Sequence, residues 1–170
     1  MFRDNKIHGR NDILKEDINF VGIGAMKSGS TWVAENLSLH PEILFSSQKE
    51  LNFFNDPIKV GDKILNSFFK KGFGWYLKQF PKSEKGKIRG EFSVVYLFDK
   101  LAAKRIKEFF PNIKIIVVLR NPIEMIYSLH NWMKSAALSN LPSEFENAID
   151  KGFYLNLGLY SHYLKIGINF

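Results

Sequence analysis

The sequence predicts an α/β fold: a parallel sheet flanked by helices, of the P-loop nucleotide-binding type. Three observations point to it. Asn19 to Gly24 reads as a short buried strand that enters a glycine-rich turn. Ile113 to Leu119 is an almost unbroken apolar run with consecutive β-branched residues from Ile115 to Val118. Helical periodicity alternates with these runs, and parallel strands need such crossovers.

Along the chain, residues 1–17 read as a polar lead-in of mixed charge, and residues 18–170 as one folded domain. After the first strand, Ser30 to Leu39 has helical spacing, and Pro41 ends it. Ile43 to Phe45 suits a short strand, Phe68 to Phe80 an aromatic and partly helical segment, and Ser83 to Lys87 a charged turn. Ile88 to Ser93 reads as a further strand, and Leu101 to Phe110 as a helix stopped by Pro111. The run from Ile113 suits a central strand covered on both faces. Asn121 is placed to cap a helix with Pro122 at its first position. Ile123, Ile126, Tyr127 and His130 would share one face of that helix. Ser143 to Phe170 reads as two more helices, split near Lys151 and Gly152.

Composition narrows the function. The 170 residues carry a net charge of +7, which favours anionic ligands. Zinc-finger spacing and a basic helix with heptads are absent from the sequence, so nucleic acid is not an expected partner. With no cysteine, the chain has no disulfides, thiolate metal sites or cysteine nucleophiles. The four histidines are far apart and read as structural, and no H-E-x-x-H motif occurs, so no metal is expected. No apolar run approaches the ~18 residues of a membrane span, and the N-terminus lacks a signal-peptide core. A cytoplasmic location is the expectation.

The first constellation is Gly22-Ile23-Gly24-Ala25-Met26-Lys27-Ser28-Gly29-Ser30-Thr31-Trp32. Where a strand turns into a helix, free N–H groups and the helix dipole favour an anion. Gly24 and Gly29 have the spacing of a G-x-x-x-x-G-K-[ST] loop, but Ser30 takes the lysine's place and Lys27 precedes the second glycine. That displacement argues for a related loop with different chemistry.

Lys27 to Trp32 resembles the 5′-phosphosulfate loop of sulfotransferases, which take a sulfuryl group from 3′-phosphoadenosine 5′-phosphosulfate (PAPS). The resemblance implies that Lys27 meets the 5′-phosphate and neutralises the leaving group. It also implies that the loop N–H groups from Ser28 and Gly29 onward, with the Ser30 and Thr31 hydroxyls, hold phosphate oxygens. Trp32 either stacks on adenine or fills the core.

The second constellation is Leu119-Arg120-Asn121-Pro122 with Ser128 about two helical turns on. Arg120 leaves the carboxyl end of a strand, where ligands of open α/β sheets bind, and its guanidinium suits a bidentate phosphate. By itself the pair reads rather as an arginine in a surface ion pair and a serine in solvent. In order and spacing it resembles the 3′-phosphate signature of the same family. A nucleotide hydrolase would instead place a carboxylate after this strand to hold Mg²⁺.

Lys49-Glu50-Leu51-Asn52-Phe53-Phe54 resembles the K-E-x-H-F-F segment of the glycan-modifying branch, which implies that Glu50 is the general base. Its alternative is a surface carboxylate paired with a lysine. Gly90-Glu91-Phe92-Ser93-Val94-Val95-Tyr96 resembles a G-E-x-[ST]-P-x-Y stretch of bacterial and glycan-type members, and Gly72 to Leu77, with Gly74-Trp75-Tyr76, is similar to the glycan branch. Asn52 replaces a histidine, Val94 a proline and Phe92 a lysine of those patterns. The resemblance covers the first part of a full sulfotransferase domain, and the apolar end at Ile166 to Phe170 reads as a truncation. It implies sulfuryl transfer from PAPS to a small-molecule or glycan hydroxyl. A non-catalytic nucleotide-binding remnant and a P-loop kinase or NTPase are the alternatives.

Overall fold

A computed structural model describes residues 18–60, 63–65, 67–136, 144–149 and 153–168. The polar lead-in and the split near Lys151 and Gly152 lie outside the described residues.

The chain runs β1 (Phe20–Gly24), α1 (Ser30–Leu39), β2 (Ile43–Phe45), β3 (Ile58–Val60), β4 (Lys63–Leu65), α2 (Phe73–Leu77), β5 (Ile88–Phe92), α3 (Lys100–Phe109), β6 (Lys114–Val117), α4 (Pro122–Ser135), α5 (Phe145–Ile149), α6 (Phe153–Gly158) and α7 (Tyr160–Ile168). Short 3₁₀ turns cover Phe69–Lys71 and Val94–Phe98. The main sheet has four strands in the order β2-β5-β1-β6, all parallel. β3 and β4 form a separate antiparallel pair.

β1 lies between β5 and β6, and its side chains interlock with those of β5. In the β1–β5 register Phe20 faces Gly90 and Gly22 faces Phe92. A Cβ at Gly90 would overlap the Phe20 ring, and one at Gly22 would overlap the Phe92 ring. Each glycine is thus the recess for the neighbouring strand's aromatic ring. Phe92, at the position of a lysine in the resembling pattern, is fully buried.

A large aromatic core lies beside the sheet, with Leu51, Phe53, Phe54, Tyr76, Phe80, Tyr96, Ile106 and Phe110 at its centre. A second cluster joins α4 to α5 and α6 through Met125, Leu129, Met133, Ala148, Tyr154 and Leu157. Asp99 caps α3 by accepting from Leu101 N and Ala102 N, and it also accepts from Asp56 N at 2.6 Å.

Three expectations change. β6 is an edge strand among the described residues, with Ile115 45% exposed, rather than a centre strand covered on both faces. A β-branched run raises strand propensity but does not set a strand's rank in the sheet. On α4 the buried residues are Met125, Ile126, Leu129, His130 and Met133, whereas Ile123 is 70% exposed and Tyr127 faces solvent. The tail holds three described helices, not two.

Candidate active site

Parallel strands deliver their carboxyl ends to one edge of the sheet, so the loops after β1, β2, β5 and β6 converge. The loop after β1 enters α1 through Gly29, whose φ of 89° suits glycine, and Lys27 is also left-handed at φ 57°. Alternating backbone hands of this kind turn N–H groups inward into an anion-binding concavity. No side chain caps the start of α1, so its first N–H groups are available to a ligand.

One cavity of about 770 Å³ is lined by Lys27, Gly29, Ser30 and Thr31 from this loop, by Lys49, Glu50 and Asn52 after β2, and by Ser128 and Trp132 of α4. Lys27 Nζ sits 5.7 Å from the centroid of the Trp132 ring. A smaller cavity of about 340 Å³, near Ile106, Phe110 and Ile115, has an apolar wall and holds none of the candidate residues.

Arg120 is outside the lining and lies against the loop of Lys27. Its Nη1 approaches the Lys27 carbonyl at 3.5 Å, and its Nε donates to Glu124 at 3.0 Å. Asn121 accepts from Ile123 N and Glu124 N, and Pro122 opens α4, as the sequence predicts. Ser128 enters the cavity two turns later. Ser28 is outside the lining, with its hydroxyl donating to the Met26 carbonyl at 3.3 Å. Trp32 is 68% exposed on α1 and lines no part of the cavity; it is not a core aromatic. His130 is buried against Phe145 and Tyr154.

Glu50 lies in the cavity wall with φ 62°, and Asn52 has φ 49°. Glu50 Oε2 accepts from Val94 N at 3.0 Å, and Oε1 pairs with Lys49. Beneath this loop lies Glu91, completely buried. Its carboxylate accepts from Ser93 Oγ at 2.7 Å and from Tyr96 Oη at 3.0 Å. The Tyr76 hydroxyl also faces it without closing a full hydrogen bond. Burial pushes the Glu91 carboxyl up to about 7, against the lowering effect of these hydroxyls, and the Glu50 charge raises it further. Burial likewise holds the Tyr76 and Tyr96 hydroxyls well above their usual range.

Sequence reasoning gave Glu91 no role. Its signal is an acid followed at two and five positions by hydroxyl residues in an otherwise apolar stretch. Trp132 carries no sequence signal, since only the fold turns it toward Lys27. Among the described residues no group of three or more His, Asp or Glu is arranged to hold a metal ion. No described helix is long and apolar enough to cross a membrane.

The family model described as "Sulfotransferase domain" matches residues 17–168. The membrane-associated sulfotransferase kil1 of Dictyostelium discoideum is 33% identical over 138 residues, 77% of this chain and 27% of that protein. The human heparan sulfate glucosamine 3-O-sulfotransferase 5 is 30% identical over 111 residues, 65% of this chain and 29% of that protein. The chain therefore spans less than a third of the length of these relatives. A solved sulfotransferase from Alicyclobacillus acidocaldarius shares the fold with a TM-score of 0.68 at 23% identity, over 89% of this chain and 68% of that one. With the family model matched over nearly the whole chain and the parallel sheet carrying its loops to one edge, this chain belongs to the sulfotransferase domain family.

Proposed function

We propose that this chain carries the donor-binding and base-bearing part of a sulfotransferase that moves a sulfuryl group from PAPS to a hydroxyl acceptor. One observation carries the reading: Lys27, the uncapped start of α1, Glu50 and Ser128 line a single cavity. The donor supplies an activated sulfuryl group on a phosphate leaving group. The residues present suit its charge: the loop N–H groups, Ser30 and Thr31 would hold the 5′-phosphate, and Lys27 would offset charge on the departing oxygen. Arg120 and Ser128 would take the 3′-phosphate once the guanidinium turns from Glu124.

Glu50 would accept the acceptor's proton as the new S–O bond forms and the bond from sulfur to the phosphate oxygen breaks. The Val94 N–H orients Oε2, which leaves Oε1, held by Lys49, as the oxygen that meets the hydroxyl. Trp32 would stack on adenine only from its exposed position on α1. No metal is assigned a part.

The names of relatives support a choice of acceptor to test first. The human relative is named for heparan sulfate, so a carbohydrate hydroxyl heads the panel, with small-molecule alcohols and phenols beside it. Membranes and nucleic acid are not among the proposed partners. A cytoplasmic location belongs to the same proposal and is tested by fractionating producing cells.

Incubation of the chain with PAPS and this panel should release 3′-phosphoadenosine 5′-phosphate, with release abolished in Glu50→Gln and Lys27→Ala. Donor binding without release would support the non-catalytic remnant. Mg²⁺-dependent ATP hydrolysis would support a kinase or NTPase, which the family match does not favour.

A further inference from the structure

Glu91 is a buried acid that the proposed chemistry does not use directly. Ser93 Oγ and Tyr96 Oη each have one proton, and both protons point to Glu91. The same two oxygens accept from the backbone of the base-bearing loop: Ser93 Oγ from Asn52 N at 3.1 Å, and Tyr96 Oη from Phe53 N at 2.9 Å and Phe54 N at 3.4 Å. Glu50 N donates to the Phe92 carbonyl at 2.8 Å, and Val94 N returns a bond to Glu50. The segments 50–54 and 91–96 are thus joined in both directions.

This clamp has a task. Glu50 and Asn52 both sit in the left-handed region, which is unfavourable for a residue with a Cβ. Such conformations persist where surrounding bonds over-determine them. An ionised Glu91 can only accept, so it directs both hydroxyl protons inward and leaves their lone pairs for the loop N–H groups.

We propose that Glu91 is the positioning residue for Glu50, acting through Ser93 and Tyr96 to hold the loop that carries the base. The proposal rests on the reading of Glu50 as the base only for its catalytic consequence; the clamp itself stands on the hydrogen bonds. A neutral carboxyl is a poorer acceptor, so protonation loosens the clamp. Glutamine at this position reverses it, because an amide N–H₂ donates where a hydroxyl already donates, and that hydroxyl must turn. The groups facing Glu91 are Tyr76 from α2, Ser93 and Tyr96 from the turn after β5, and Glu50 from the loop after β2, with Arg89 of β5 acting on Tyr76.

The test is amide NMR on the ¹⁵N-labelled full chain from pH 5.5 to 8.5. The amides of Asn52, Phe53 and Phe54 should titrate together with a midpoint of about 7. In Glu91→Gln that titration should vanish, and exchange at these amides should quicken at least tenfold while α3 and β1 stay protected. Ser93→Ala should release chiefly Asn52, and Tyr96→Phe chiefly Phe53 and Phe54. These two variants decide the matter if Glu91→Gln does not fold. Unchanged exchange at residues 52–54, or loss of protection without the site-selective pattern, overturns the clamp.

In turnover, Glu91→Gln should lower kcat at least tenfold, leave the donor KM in place and flatten the pH profile near neutrality. A purely structural role would lower the amount of active protein without changing that profile. A wild-type chain that binds donor but never turns over counts against Glu50 as base, while the amide measurements still decide the clamp.

Discussion

The Arg120 guanidinium reaches the backbone carbonyl of Lys27 at 3.5 Å, although 93 positions separate the two residues. β1 and β6 are hydrogen-bonded parallel neighbours, so the loops that leave their carboxyl ends emerge side by side. Two cations from distant segments are thereby brought to the same end of the sheet, where the proposed doubly phosphorylated adenosine would meet both.

Calorimetric titration with 3′-phosphoadenosine 5′-phosphate should therefore show weaker binding in both Lys27→Ala and Arg120→Ala. Loss of a charge-assisted phosphate contact removes about 1.5–3 kcal/mol, or roughly ten- to a hundredfold in Kd. Ser128→Ala should lose less, about fivefold, because a neutral hydroxyl is the weaker donor. Unaltered affinity in Arg120→Ala would remove the second phosphate site from the proposal.

Stability should depend on pH through Glu91. Its carboxyl titrates at about 7 when folded, against 4.5 for the ordinary group. Below pH 4.5 both states hold the proton. Between 4.5 and about 7 the unfolded chain has released it while the folded chain keeps it, so stability falls as pH rises. Above about 7 the loss is complete, about 3 kcal/mol from this group. Denaturant melts of wild type and Glu91→Gln should differ by about 2.5 kcal/mol in their change between pH 5 and pH 8, the part of that loss falling in this window. Parallel curves would contradict the burial argument.

The Phe20–Gly90 recess predicts a specific pair of variants. Gly90→Ala places a methyl in the Phe20 ring and should destabilise the fold by about 1–3 kcal/mol, as overpacking does. Adding Phe20→Leu should recover part of the loss, so the double variant melts above the sum of the singles. Additive melting temperatures would mean that the two sites are independent.

The Asn121 cap is the simplest local test. Asn121→Ala leaves two α4 N–H groups without their acceptor and should cost about 1 kcal/mol, or roughly 2–4 °C in Tm. Because α4 begins beside Arg120, nucleotide affinity should fall as well. A lowered Tm with intact affinity would separate the cap from the phosphate site.

The local features were legible in the sequence because they depend on neighbours in the chain. The strand, glycine turn and helix from Phe20 to Leu39, the Asn121-Pro122 start of α4 and the stop before Pro111 follow from backbone sterics and capping within a few residues. The motif strings carried the family and named Lys27, Glu50, Arg120 and Ser128.

Tertiary structure alone decided the rest, because those outcomes depend on which residues meet across the fold. β6 lies at a sheet edge since strand order comes from pairing, not from hydrophobicity. Trp32 faces solvent and Trp132 faces Lys27, although both are tryptophans on helices beside the cavity. Glu91 became a clamp only when parallel pairing laid its strand against the loop of Glu50; there burial keeps water out, and two hydroxyl protons are left with one acceptor.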